Sequence, residues 1–234
     1  MFRFKQFGVD QSGCAMKINT DGVLLGAMAE ADNPSNILDI GTGTGVIALM
    51  AAQRYATAEI DAVEIDEDAA QTAGLNFRNS PFTNKLTVFP LSFERYFEQF
   101  PERKYDLIVS NPPFYIDSLK SPGPKKALAK HTDVDFFEKL VKAGSAHLTD
   151  GGCLWFVLPG TMAEMIIELS TQKLLYPKKV INIKSYTHSD LHRVVICFTF
   201  DRHLPEISNF TIYKAKDIYS DEYTTLLQPY FLAF

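Results

Sequence analysis

NILDIGTGTG, residues 36–45, is the stretch that decides the fold of this 234-residue chain. Its first half is a short apolar run that predicts a β-strand, and its second half is a glycine-rich turn leading into a predicted helix. Outward from this stretch, strands are predicted at residues 59–64, 85–89, 105–110 and 153–158, and helices at 46–54, 66–79, 93–100, 133–148 and 161–172. This alternation predicts a doubly wound α/β fold with a mostly parallel, seven-stranded sheet.

The two ends of the chain depart from this alternation. Residues 1–34 predict a small hairpin followed by a helix, which we expect to pack as an N-terminal extension on a domain of residues 35–234. Near the other end, β-rich runs at 180–185 and 194–200 lie close together in the sequence. They predict an antiparallel excursion at one edge of the sheet, with residues 209–213 as a candidate edge strand.

Composition excludes several classes of protein. The net charge is −5, so the chain is not a nonspecific binder of polyanions, and any contact with nucleic acid needs a local basic patch. No apolar run is long enough for a membrane span, and the first residues do not resemble a secretory signal. The three cysteines are widely spaced, which favours free thiols over a disulfide framework or a metal site. We expect a cytoplasmic monomer without a metal.

The glycine-rich turn has features of a nucleoside site. Val46 stands where a dinucleotide fingerprint needs glycine, and no P-loop lysine is present. Asp39 would repel a pyrophosphate but suits an ammonium group. Glu64, at the end of the next predicted strand, is placed to accept hydrogen bonds from ribose hydroxyls. A nucleoside with a cationic tail is S-adenosylmethionine, and the alternative is a βα turn that binds nothing.

The second motif is SNPPF, residues 110–114, at the end of the predicted strand 105–110. Two prolines end the hydrogen-bond ladder, and Asn111 is held extended because a proline follows it. The amide and carbonyls then become fixed acceptors beside the flat ring of Phe114, an arrangement that suits a planar group carrying an NH2. The alternative is a strand-ending turn with a core phenylalanine. Because both motifs follow predicted parallel strands, we expect them to share one crevice.

Together, LDIGTGTG and NPPF resemble the class I methyltransferases that act on planar amino nitrogens. The flanking segments are similar to the bacterial tRNA1(Val) adenine-37 N6-methyltransferase family, so that the resemblance spans nearly the whole chain; they are FKQF (4–7), CAMK (14–17), TDGVLLG (20–26), HRV (192–194) and YSDEY (219–223). The resemblance implies a Rossmann-like fold and an S-adenosylmethionine site formed by Asp39, Gly41, Thr42, Gly43, Gly45, Glu64, Ile65, Ser92 and Asn111. Ser92 stands where many relatives have an acid near the cofactor adenine.

The implied reaction is methylation of the adenine N6 nitrogen in a tRNA anticodon loop. We expect Asn111, Pro112 and Phe114 to act in catalysis, with the Asn111 side-chain oxygen and the Pro112 carbonyl accepting the two N6 hydrogens and Phe114 stacking on the base. Candidate substrate contacts are Lys5, Lys17, Pro113, Phe114, Lys120, Lys125, Lys126, Lys130, His192 and Arg193. Four of these lysines lie in a basic segment, 117–132, predicted as a long loop, for which the alternative is a solvated surface.

Other activities remain open from the sequence. A protein glutamine amide is also planar and fits the same acceptors, as do bases of rRNA or DNA. A different class is a non-catalytic RNA-binding module, which the intact Asp39, Glu64, Asn111 and Phe114 argue against. A dehydrogenase is disfavoured by Val46.

Overall fold

One eight-stranded sheet forms the centre of the protein. The computed structural model describes residues 1–113 and 124–234, with side chains in the second part described from residue 134 onward. The strands are β1 (Phe2–Arg3), β2 (Gly8–Val9), β3 (Asn36–Ile40), β4 (Glu59–Val63), β5 (Leu86–Phe89), β6 (Tyr105–Ser110), β7 (Leu148–Pro159), β8 (Tyr176–Lys184), β9 (Leu191–Thr199), β10 (Glu206–Thr211), β11 (Tyr213–Ala215) and β12 (Ile218–Tyr219).

The order of strands in the central sheet is β10-β8-β9-β7-β6-β3-β4-β5. Strands β3 to β7 pair in parallel, β9 runs antiparallel between β7 and β8, and β10 is parallel to β8. The predicted mostly parallel α/β fold with an antiparallel excursion is therefore confirmed. The predicted number of seven strands is wrong, because β10 pairs with β8 over its full length. Only Phe210 of β10 is buried. The candidate edge strand 209–213 overlaps the second half of β10, whereas the polar first half gives no strand pattern.

The helices cover both faces of the sheet. They are α1 (Thr20–Met28), α2 (Val46–Arg54), α3 (Glu67–Arg78), α4 (Phe93–Gln99), α5 (Pro124–His147), α6 (Ala163–Thr171) and α7 (Asp221–Leu227). Successive side chains of β7 point to opposite faces and enter separate cores: Trp155 packs in the core under α1 and α2, and Phe156 packs in the core under α4 and α5.

Residues 124–132, predicted as part of a loop, are instead the first nine residues of α5. Proline suits the first position of a helix, where no N–H partner is needed, and the alanines, lysines and leucine of KKALAK are strong helix formers. The predicted loop assignment is therefore wrong for these residues. Residues 117–123 lie outside the described part of the chain.

The N-terminal residues form the predicted hairpin and helix. Strands β1 and β2 pair, and α1 follows with seven of its nine residues buried. The helix is capped by Asn19, whose side chain accepts a 2.9 Å hydrogen bond from the Gly22 amide. Phe4 forms an isolated β-bridge with Phe231, so the apolar C-terminal segment packs against the N-terminal hairpin. A domain boundary after residue 34 stays a prediction.

The turn between β3 and α2 ends on a glycine that the packing requires. Gly45 has a φ of +82°, and a Cβ atom there would lie 2.5 Å from the Phe77 ring. Helix α3, which carries Phe77, therefore packs directly against the start of α2. Only glycine combines this backbone conformation with such a close approach.

Gly45→Ala should destabilise the protein by about 2 to 4 kcal/mol, from backbone strain together with overpacking against Phe77. Urea denaturation followed by circular dichroism measures this change. Gly151→Ala is the matched control, because a Cβ atom there meets nothing within 4 Å and no positive φ is involved. Equal stability of the two variants would contradict this account of the turn.

Candidate active site

Strands β6, β3 and β4 are neighbours in the sheet, and their carboxyl ends lie at the same level. Ile40, the last residue of β3, is paired with Val63 on one side and Ser110 on the other. The residues that follow these three strand ends are Gly41, Glu64 and Asn111. Because adjacent strands lie about 4.8 Å apart, the glycine-rich turn and the NPP segment open onto one crevice. The glycine-rich turn and residues 111–113 of the second motif therefore follow adjacent strand ends, as expected. Phe114 lies outside the described residues, and a ligand crevice shared by the two motifs stays a prediction.

The Glu64 carboxylate ties the glycine-rich turn to the next helix. Its Oε2 accepts a 2.9 Å hydrogen bond from the Gly43 amide, and its Oε1 accepts one of 3.0 Å from the Asp66 amide. A Cβ atom at Gly41 or Gly43 would meet nothing within 4 Å. The rim of the crevice is therefore bare backbone facing open space, with a half-buried carboxylate beside it.

Asp39 lies fully buried beneath this turn. Its Oδ2 accepts hydrogen bonds from Thr42 Oγ1 (2.6 Å) and the Ala48 amide (3.2 Å), whereas its buried Oδ1 has no partner. Burial raises the pKa of Asp39 to about 7, against the two hydrogen bonds, which lower it. The negative charge of Glu64 raises it further. A cation at the turn would supply the charge partner that this carboxylate lacks.

Two further residues border the Glu64 side of the crevice. Ile65 exposes 72% of its surface, which leaves a large apolar side chain in solvent next to an acid. Ser92 caps α4, and its Oγ accepts a 3.3 Å hydrogen bond from the Arg95 amide. The Glu64 amide donates to the Phe89 carbonyl at 3.1 Å, which holds the end of β5 next to this side.

Helix α1 closes the opposite side. The Nδ2 atom of Asn111 lies 3.6 Å from where a Cβ atom of Gly22 would be, and Val46 Cγ1 lies 3.9 Å from the same point. Asn111 is half-buried, Pro112 is buried and Pro113 is exposed. The first turn of α1 is thus a wall of the crevice, a placement that no sequence motif indicated.

The comparisons with known proteins agree with this geometry. Residues 16–170 match the family model of the methyltransferase small domain. A tRNA1(Val) (adenine(37)-N6)-methyltransferase of Pedobacter heparinus is 48% identical over 100% of this chain and 98% of its own. One of Flavobacterium psychrophilum is 40% identical over 99% of both chains.

The chain belongs to the tRNA1(Val) (adenine(37)-N6)-methyltransferase family. The predicted family and enzyme class are therefore confirmed. The crystal structure of a predicted O-methyltransferase from Agrobacterium tumefaciens superimposes with a TM-score of 0.71 at 16% identity, covering 90% of this methyltransferase and 96% of that chain. This likeness supports the class I methyltransferase fold alone.

A partly buried ion pair fastens α1 of the methyltransferase to the sheet. Arg193 Nε donates to Asp21 Oδ2 at 2.7 Å, and each side chain is 16% exposed. Arg193 pairs with Pro159, which places it at the same edge as Asn111. His192, next to it, is exposed. The ion pair of Asp21 with Arg193 was not predicted, because the two residues are 172 positions apart in the sequence.

The other predicted substrate residues have different surroundings. Lys5 Nζ donates to the Gln228 and Phe234 carbonyls at 2.6 and 2.7 Å, which ties it to the C-terminal segment. Lys17 is exposed. Phe114 and Lys120 lie outside the described residues, as do the side chains of Lys125, Lys126 and Lys130, so these five assignments stay predictions.

The described residues contain neither a membrane-spanning helix nor a cluster of metal ligands. Within residues 1–113 and 124–234, no helix combines the length and apolar character needed to cross a membrane. In the same part of the chain, no three histidine, cysteine, aspartate or glutamate side chains form a group suited to a metal ion. The absence of a metal from the enzyme stays a prediction.

The buried Asp39 should make stability depend on pH. Its folded-state pKa of about 7 lies above the unfolded value of 3.8, so the folded state holds the proton more tightly and stability falls as pH rises from about 4 to 7. Between pH 5 and pH 8 this amounts to about 2 to 3 kcal/mol. Asp39→Asn should lose this part of the pH dependence, measured by urea denaturation at both pH values. Parallel curves for the two proteins would contradict a raised pKa.

Proposed function

We propose that this methyltransferase transfers a methyl group from S-adenosylmethionine to the N6 nitrogen of adenine 37 in the anticodon loop of tRNA1(Val). The observation that carries the proposal is the meeting of the glycine-rich turn, Glu64 and Asn111 at three adjacent strand ends. The names of the full-length relatives support the choice of substrate. The cytoplasm is the compartment in which such a substrate is found.

The residues around the turn fit S-adenosylmethionine. Asp39 would attract the ammonium group from below the turn, and the bare backbone of Gly41 and Gly43 allows the ligand to approach closely. Glu64 keeps lone pairs for ribose hydroxyls after its two backbone hydrogen bonds. When bound, the cofactor supplies an electrophilic methyl group on a positively charged sulfur.

Ile65 and Ser92 would hold the adenine of the cofactor. The exposed side chain of Ile65 offers the ring an apolar face. Ser92 already accepts a hydrogen bond at its Oγ, and its hydroxyl hydrogen can donate to a ring nitrogen while another lone pair accepts from the amino group. A serine therefore does at this position what an acid does in many relatives, without adding a charge.

Asn111 and Pro112 would hold the amino group of the substrate base. The amide nitrogen of Asn111 lies beside Gly22 at the start of α1. The Asn111 side-chain oxygen and the Pro112 carbonyl would accept the two N6 hydrogens, orienting the nitrogen and stabilising the positive charge that grows on it. The methylated nitrogen is acidic and gives its proton to water, so no strongly basic side chain is required.

The remaining proposed substrate contacts lie outside the crevice. Phe114 would stack on the extruded base, and Pro113 would border it. Lys17, His192 and Arg193 would face the RNA together with the lysines of the basic segment, Lys120, Lys125, Lys126 and Lys130. Lys5 is the weakest candidate because its ammonium group is already bonded to two C-terminal carbonyls. We propose that one chain is sufficient for activity.

The reaction is tested by incubating the enzyme with unmodified tRNA and isotopically labelled S-adenosylmethionine, followed by mass spectrometry of the nucleosides. Label in N6-methyladenosine at position 37 is the expected result. Label in another nucleoside, or in a protein glutamine of a cell extract and not in tRNA, would refute the proposed substrate.

Asn111→Ala should lower kcat about 100-fold to 1000-fold, as expected when an acceptor that acts on the transition state is lost. Affinity for S-adenosylhomocysteine should change far less. Single-turnover methylation of tRNA measures the first effect and calorimetry the second. Asn84→Ala, at an exposed asparagine, is the matched control. Wild-type turnover by Asn111→Ala would refute the proposed role of this side chain.

Glu64→Gln should weaken binding of S-adenosylhomocysteine about tenfold or more, because a charged acceptor for the ribose hydroxyls becomes a neutral amide. Isothermal titration calorimetry measures the affinity. Glu168→Gln makes the same chemical change at an exposed position on α6 and should bind as wild type. Equal affinities in both variants would remove Glu64 from the cofactor site.

A further inference from the structure

Five aromatic rings form a continuous stack on the C-terminal side of the molecule, which we name the aromatic column. From one end to the other they belong to Tyr223, Tyr219, Tyr213, Tyr186 and His188. Successive ring centroids are 4.6, 5.1, 5.6 and 5.7 Å apart, and successive planes differ by 10°, 20°, 35° and 17°. Four separate elements of the chain contribute, so the stack is a product of tertiary packing.

The inner end of the aromatic column is fixed and its outer end is open. Tyr223 on α7 is 5% exposed, and Phe234 packs edge-on against both Tyr219 and Tyr223. The middle is held by a 2.9 Å hydrogen bond from the Tyr213 amide to the Ser185 carbonyl. His188, the outermost ring, is exposed. His188 is therefore an exposed aromatic ring at the outer end of the aromatic column.

The aromatic column lies at the carboxyl ends of the parallel strands, the same end of the sheet as the crevice. Strand β8 runs parallel to β7, so its last residues lie at the carboxyl ends of the strands, where Ile183 pairs with Arg193. Strands β8 and β6 are three strand spacings apart, about 14 Å. RNA whose base enters the crevice at Asn111 can reach this distance with a few nucleotides.

The charges beside the aromatic column are mixed. Close to its residues in the sequence are Lys184, Lys214 and Lys216 and the acids Asp190, Asp217, Asp221 and Glu222. Lys214 is already paired with Asp221 at 2.8 Å. A surface with mixed charges is poorly suited to binding a phosphate backbone. A ligand would instead stack on the exposed face of the aromatic ring. Nucleobases stack on aromatic side chains with little regard to sequence.

We propose that an unpaired base of the anticodon loop, close to the methylated adenine, stacks on His188 and extends the aromatic column. The inference rests on the proposed function for the identity of the RNA. Anticodon loops contain unstacked bases that aromatic side chains recognise. A nucleobase is favoured over a protein ligand because the open end is a single flat ring at the edge that holds the crevice.

His188→Ala and Tyr186→Ala test the inference in steady-state methylation of an anticodon stem-loop RNA. Each variant loses the stacking contact with one base, which should raise the KM for RNA about fivefold to tenfold. The kcat and the affinity for S-adenosylhomocysteine should stay within twofold of wild type. His188→Trp should restore the wild-type KM. The matched control is His203→Ala. This exposed histidine lies in the connection between β9 and β10, at the end of the sheet opposite the crevice.

A binding measurement separates this inference from the proposed activity. The indole fluorescence that the His188→Trp variant gains over wild type should be quenched by the stem-loop RNA without any cofactor, whereas RNA with abasic positions around the target should quench little. Quenching without adenine methylation would refute the proposed function but would support stacking of a base at position 188. Adenine methylation with His188→Ala and His203→Ala indistinguishable from wild type would refute the stack, and a protein ligand would then be sought.

Discussion

Parallel pairing of β3 with both β4 and β6 is the constraint on which the rest of the molecule depends. It brings three chain segments out of the sheet at one level, so that residues distant in sequence face each other. Glycine backbone, a carboxylate and an amide then line one crevice without any long-range motif to specify it. Helices α2 and α3 follow two of these strands and fix the turn between them through the close contact of Gly45 with Phe77.

The site combines a buried charge with an open rim. Asp39 is held without a partner for Oδ1, at a cost that the packing around it must offset. The rim above it is backbone with room on its outer side. Either a proton on this carboxyl group or a cation at the turn would balance its charge.

Much of this arrangement follows from local sequence, and the remainder does not. The strands from β3 to β7 could be predicted because buried parallel strands are continuous apolar runs, and the crevice followed from where those runs end. The edge strand β10 was uncertain because it buries only Phe210. Two contacts could not be predicted from local sequence, because they depend on how α1 packs against the sheet. They are the contact of Gly22 with Asn111 and the ion pair of Asp21 with Arg193.

The pair of Asp21 with Arg193 has a consequence for how relatives of this protein can diverge. Both side chains are mostly withdrawn from solvent, so replacing either one removes a charge-assisted hydrogen bond that joins α1 to β9. The first thirty residues are therefore not an exchangeable module: a chimera that takes them from a relative must take a compatible β9 as well. Inheritance at these two positions is expected to be joint, although they lie near opposite ends of the gene.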